Sequence, residues 1–442
     1  MKIPSFHTRR EFLRSTVLGG ALSWTVPTFL ANTFAALQAE AADQATQITT
    51  GRDGTILVVL QMAGGNDGIN TVVPYANDDY RRARPRLGLP ADKVLKLNAE
   101  VALHPNLTGL KELYDGGQLA IVQGAGYPNP NRSHFRSTEI WQTGSDSNRF
   151  EHYGWLGRYF DNACAGCDPT VGVSIGHEMP QAFAAKAPTG VSLDNPQNFR
   201  FMPPRGEPRA EMQETEVSFR KLNDFENERD ANSGGTIATL RGMSLRSGSM
   251  LDFLERTAMD AQVSSDTIRK IASRGENQAT YPASQLANSL KLVAKLIGGG
   301  LPTRVFYVSQ GGYDTHTNQL ATQDRLFKEL GDSLQAFVAD LKAQGNLERV
   351  LVMTFSEFGR RVAENASGGT DHGAAAPLFV IGNKLKAGLL GTYPSLAPGD
   401  LFEGDIKYTV DFRSVYAALL QNWLKTSSEV VLGRKFPEIE LV

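Results

Sequence analysis

Three short segments of this 442-residue chain combine glycine with acidic or imidazole side chains. They are Gly64-Gly65-Asn66-Asp67-Gly68, Gly311-Gly312-Tyr313-Asp314-Thr315-His316 and Thr370-Asp371-His372-Gly373. Each carries one aspartate, and two add a histidine one or two residues away. Carboxylate and imidazole together suit zinc, manganese or another borderline divalent cation. Glycine lets the backbone turn tightly beside such ligands. A single aspartate after a strand is usually a cap or turn residue. Three such clusters at three predicted strand ends point instead to a shared polar site with a bound metal. Six histidines lie beyond residue 41, at positions 104, 134, 152, 177, 316 and 372. His316 and His372 sit in the glycine-flanked loops, and His134 begins a predicted helix. His104 precedes Pro105 and reads as structural. His152 and His177 are given no role.

Ser133 stands where an N-cap would stand, which is one reading of it. The other is a nucleophile, because a helix N-terminus favours an alkoxide and attracts an anionic ester. A metal deprotonates a hydroxyl as it does water. Arg132 beside it reads either as a contact for a non-bridging oxygen or as a solvated side chain.

The elements that must position these residues follow from hydrophobic patterning. Strands are expected at 55–62, 119–122, 171–175, 304–309, 349–355 and 377–381. Helices are expected at 133–143, 155–162, 317–344 and 411–424. Strands alternating with helices predict an α/β fold with a mostly parallel, doubly wound sheet. In such sheets ligands bind at the carboxyl ends of strands, which is where the glycine-flanked clusters fall. Residues 205–275 are charged and poor in apolar runs, and are expected to form a helical insertion.

Hydrophobic residues make up 41% and charged residues 21%, which excludes a disordered chain. The net charge of −2 and the lack of a dense basic cluster argue against nucleic acid as partner. A small anionic substrate would then need a local positive centre. Thr8-Arg9-Arg10-Glu11-Phe12-Leu13, an apolar stretch from Ser15 to about Leu37 and Ala39-Glu40-Ala41 form a signal peptide over residues 1–41. Its adjacent arginines resemble the twin-arginine export signal, so the export machinery is an expected partner and the mature chain, 42–442, is expected in the periplasm or secreted. Gly19, Gly20, Pro27 and Asn32 interrupt the apolar stretch, and no permanent membrane span is expected. The only cysteines, Cys164 and Cys167, cannot close a four-ligand zinc site and read as a loop disulfide, with a redox pair as the alternative.

The segment Met62-Ala63-Gly64-Gly65-Asn66-Asp67-Gly68-Ile69-Asn70-Thr71-Val72-Val73-Pro74, the Gly312–His316 segment, Ser356-Glu357-Phe358-Gly359-Arg360-Arg361 and Gly369-Thr370-Asp371-His372-Gly373 together resemble a large bacterial family. That family comprises twin-arginine-exported proteins of unknown function and is grouped with the alkaline phosphatase-like superfamily, beside sulfatases and cofactor-independent phosphoglycerate mutases. The resemblance covers about residues 54–424 and implies the alkaline phosphatase-like fold. It implies Asp67 as an early metal ligand, Ser133 as nucleophile, and Asp371 with His372 as ligands of the same ion. Asp314 and His316 would bind a second ion. These two stand only two residues apart, and no histidine follows His372, so the second ion is one ligand short, a place His134 could fill. The implied activity is metal-dependent hydrolysis of a small phosphate or sulfate ester with one or two zinc or manganese ions. The alternative is a non-catalytic periplasmic binding or assembly protein on the same fold.

Overall fold

The structure is a computed structural model and describes residues 54–164, 167–176, 178–186, 189–196 and 264–442. The expected signal peptide lies outside the described residues. So does the expected insertion, apart from 264–275, of which 264–274 are helical.

Nine strands form one sheet: β1 (Ile56–Met62), β2 (Leu119–Gly126), β3 (Gly172–Ile175), β4 (Val191–Leu193), β5 (Val305–Gln310), β6 (Val350–Phe355), β7 (Ala376–Ile381), β8 (Gly388–Leu390) and β9 (Val410–Asp411). Their order is β8-β2-β7-β6-β1-β5-β3-β4, with β9 also paired to β2. All neighbours are parallel except the two pairs that β7 makes, with β2 and β6. Every residue of β1, β6 and β7 is buried, which explains why their sequences are continuous apolar runs without alternation.

Helices cover both faces. Leu57, Val59, Val305, Tyr307, Leu351 and Met353 point to one side, where they share a core with α1 (His134–Thr143), α2 (Trp155–Ala163) and α5 (Phe412–Ala418). Trp141 stacks on Phe355 and Phe412, and Trp155 on Tyr416. The helices α3 (Gln285–Gly298) and α4 (Gln319–Ala343) pack on each other, and α3 packs on β5. The α/β, mostly parallel, doubly wound arrangement is therefore as the patterning predicts. Among the described residues, no helix is long and apolar enough to cross a membrane.

Register decides where the loops fall. Met62 lies opposite Gln310, and Gln61 opposite Phe355, so β1, β5 and β6 end level. Because β7 alone runs the other way, its start at Ala376 lies opposite Ala125, near the end of β2. The segment leading into β7 therefore shares an edge with the segments leaving β1, β2, β5 and β6. Gly359–Arg361 also pairs with Asp371–Ala374, through Gly359 N–H to Ala374 O at 2.9 Å and Arg361 N–H to Asp371 O at 3.0 Å.

Two backbones meet at Gly64, which has φ +122°. A Cβ there would stand 2.4 Å from the Asp314 backbone nitrogen. Gly64→Ala should therefore cost about 2–3 kcal/mol in stability from strain and overlap together, read from denaturant midpoints. An unchanged midpoint would contradict the close approach.

Candidate metal centre

The level strand ends place five segments around Asp314, which follows β5. Its Oδ1 lies 3.1 Å from His316 Nε2 and 3.2 Å from His372 Nε2. Its Oδ2 lies 3.5 Å from His134 Nε2, at the first turn of α1. The Nε2 atoms of His316 and His372 are 2.9 Å apart. Ligand atoms of His134, Asp314 and His372 all lie within 4.8 Å of one another. Donors held about 2.1 Å from one zinc-sized ion in a tetrahedral shell stand roughly 3.4 Å apart, a value these spacings bracket.

An acceptor lies behind each ring. His134 Nδ1 is 3.0 Å from Glu357 Oε1, His316 Nδ1 is 3.2 Å from Asp371 Oδ1, and His372 Nδ1 is 2.8 Å from the Arg132 carbonyl oxygen. All three partners can accept from a protonated Nδ1, which is the tautomer that ligation through Nε2 requires. In that tautomer three Nε2 lone pairs face one carboxylate. Lone pairs 2.9 Å apart repel unless a cation sits among them. The donor set, three imidazoles and one carboxylate, fits a borderline divalent ion. Hydrogen bonding to the far nitrogen is the usual way a ligating histidine is oriented.

The surrounding groups favour the required ionisation states. Burial pushes the Asp314 carboxyl up, but the Arg360 guanidinium 2.6 Å away, with His372 and His316, holds it below the usual carboxylate range. Burial pulls the His372 ring below its ordinary value, against its bonds to the Arg132 carbonyl and Asp314, and keeps it neutral. Asp371 is held low, first by Asn365 and then by His316. Arg360 is buried and also donates to the carbonyls of Gly65 at 2.7 Å, Thr370 at 3.0 Å and Tyr313 at 3.1 Å. It thereby ties the loops after β1, β5 and β6 together. Phe358 lies against His372 and His134, with ring centroids 4.6 and 4.9 Å apart.

Several sequence expectations meet a different geometry. Asp67 does not face this cluster. Its carboxylate forms a bidentate pair with Arg84, at 2.5 and 2.9 Å, accepts from Gln319 Nε2, and caps the short helix Gly68–Thr71 through Ile69 N–H. The pair is fully buried, and Arg84 stays charged because Asp67 outweighs the effect of burial. Asp67 is thus a partner of an internal cation and not of the candidate ion. Asp371 stands behind His316, where its carboxylate contacts the ring's Nδ1 at 3.2 Å. Among the described residues, His134, Asp314 and His372 are the group whose ligand atoms all lie within 4.8 Å of one another, and His316 adjoins it through Asp314 and His372. Arg132 is likewise corrected: its guanidinium is held by Asp405 and Glu403, and it is its backbone carbonyl that reaches the site. Ser133 is the exposed N-cap of α1, but its hydroxyl makes no capping hydrogen bond.

His104 is fully buried, accepts from Asn106 N–H at 3.1 Å and is pushed down to about 4 by burial, as a structural histidine would be. His152 is exposed and lies outside the cluster, and His177 lies outside the described residues. Cys164 and Cys167 are joined in a disulfide. Sequence reasoning missed Glu357, Arg360 and Arg84. The first two follow β6, so the strand-end rule that selected Asp314 applied to them equally; nothing in the sequence pairs Arg84 with Asp67.

Thermal melts with and without zinc separate these roles. Asp67→Asn should lose about 3–5 kcal/mol of stability, because Arg84 is left buried and unpaired, yet keep a zinc-induced rise in Tm. His372→Ala should lose the zinc-induced rise. The reverse pattern would make Asp67 the ligand.

Comparison with known proteins gives three findings. Among curated proteins, none matches. Solved structures similar to this chain include the PsFucS1 sulfatase from Pseudoalteromonas sp., at 10% identity and TM-score 0.31, covering 84% of this chain and 69% of that one. Others are the alkaline phosphatase from the Antarctic bacterium TAB5, at 12% identity and TM-score 0.26, covering 75% and 92%, and the phosphonate monoester hydrolase SpPMH from Silicibacter pomeroyi, at 11% identity and TM-score 0.33, covering 88% and 78%. Superpositions this loose place no residue of the site. The model of the family described as "Protein of unknown function (DUF1501)" matches residues 55–433, and the chain belongs to that family.

Proposed function

We propose that this protein is a metal-dependent hydrolase of phosphate or sulfate esters, with one divalent ion held by His134, Asp314, His316 and His372. The observation that carries the metal is the convergence of three Nε2 atoms on Asp314 with every Nδ1 held from behind. The motif resemblance to the alkaline phosphatase-like superfamily supplies the ester class. Zinc suits three nitrogens and one oxygen better than manganese. A bound ion would polarise an ester oxygen and offset the charge that develops on it.

The chain's own residues do the rest. Arg360 holds Asp314 Oδ1, leaving Oδ2 toward His134. Glu357, Asp371 and the Arg132 carbonyl keep the rings from turning. The first turn of α1 presents backbone N–H groups beside His134, which favours an anionic group there. Ser133, next to His134 and with its hydroxyl uncommitted to capping, is the nucleophile in this reading.

A second reading has its own observation. Four protein ligands complete a structural zinc shell, whereas catalytic sites usually keep one position open. An ion bound that way would serve a non-catalytic binding or assembly protein.

Purified mature protein should contain about one ion per chain and hydrolyse an aryl phosphate or aryl sulfate, with loss of turnover on chelation. Ser133→Ala should lower kcat at least about a thousand-fold with metal content unchanged. Bound metal without turnover across an ester panel would favour the second reading. Residues 1–41 are proposed as a cleaved twin-arginine signal. Arg9→Lys with Arg10→Lys should leave unprocessed precursor in the cytoplasm, and normal export of that variant would refute the route.

A further inference from the structure

The three ring supports are not equivalent. Asp371 lies at the surface, with 57% of its side chain exposed, and the support of His372 is a backbone carbonyl. The support of His134 is Glu357, whose side chain is only 3% exposed. One oxygen of Glu357 takes two donors. Oε1 accepts from His134 Nδ1 at 3.0 Å and from the Gly64 backbone N–H at 2.8 Å. The backbone of Glu357 is itself fixed, because Ser137 Oγ on α1 donates to its carbonyl. Ser356 before it accepts from Asn66 N–H at 2.8 Å and donates to the Met62 carbonyl at 2.7 Å. Glu357 thus joins the loop after β1, the loop after β6 and the start of α1.

From this arrangement the geometry points to Glu357 as the positioning residue that sets the centre's affinity for its ion, through His134. The inference rests on the metal centre proposed above and adds to it an unequal ranking of the supports. A carboxylate out of reach of water polarises its imidazole partner more strongly than an exposed one, and no solvent molecule can replace it. Water can take over from Asp371, because that side chain is already in solvent. Glu357 touches neither ion nor substrate in this account.

The full mature chain is titrated with zinc against a chromophoric chelator, as wild type, Glu357→Gln, Glu357→Ala and Asp371→Asn. Gln keeps an oxygen for both donors and removes only the charge. Glu357→Gln should weaken zinc binding about ten-fold, and Glu357→Ala about a hundred-fold. Asp371→Asn should weaken it less than about three-fold. The ion-free melting temperature of Glu357→Gln should stay near wild type, which shows that the loss is not one of folding. The visible bands of the cobalt(II) form should shift in both Glu357 variants and not in Asp371→Asn, a signature that general loosening of the fold would not give. Wild-type affinity in Glu357→Gln, or a larger loss in Asp371→Asn, would overturn the inference while leaving the centre in place. A wild type that binds neither zinc nor cobalt would remove the centre and the inference together. A wild type that binds zinc with the ranked losses but hydrolyses no ester would uphold the inference and sink only the hydrolase reading.

Discussion

Three imidazole Nε2 atoms turned toward one carboxylate create an electrostatic demand that the rest of the site exists to hold in place. Each ring could relieve it by rotating, or by moving its proton to Nε2. Glu357, Asp371 and the Arg132 carbonyl oppose both, since each can accept a hydrogen bond from a protonated Nδ1. Arg360 meets part of the demand from beneath, by pairing with Asp314 Oδ1. What is left over is a cluster of lone pairs, and a divalent cation is the natural group to answer it.

The fold supplies the convergence by a single departure from regularity. In a wholly parallel sheet, the segment before a strand lies at the opposite edge from the segment after it. His372 precedes its strand, whereas Asp314, Glu357 and His134 follow theirs. Only because β7 is antiparallel do all of them share an edge. The glycines have a related purpose. At Gly64 the loop after β1 passes so close to Asp314 that no side chain fits between them. That closeness brings the Gly64 N–H to Glu357 and the Gly64 carbonyl to Arg360.

Much of this was legible in the sequence, for reasons that also mark the limits. The strands announce themselves because doubly covered strands are continuous apolar runs. β1, β5, β6 and β7 fall within a residue or so of their expected ends. Short edge strands such as β4, β8 and β9 carry too little apolar signal to be read. Asp314, His316 and His372, which the structure brings together, were selected by a strand-end rule that needs only strand positions. Asp67 obeyed the same rule and was misread, because its partner depends on a buried side chain seventeen residues on. That the His134 ring reaches Asp314 was not legible, because sequence does not set the rotation of a helix about its axis.

The central claim is that three imidazoles and one carboxylate share a single cation. X-ray absorption at the zinc edge, on purified mature protein loaded with one equivalent of zinc, reads that shell directly. The account predicts one light-atom shell with the multiple-scattering pattern of three imidazole rings. A spectrum with one imidazole or none, dominated by carboxylate and water oxygens, would contradict it.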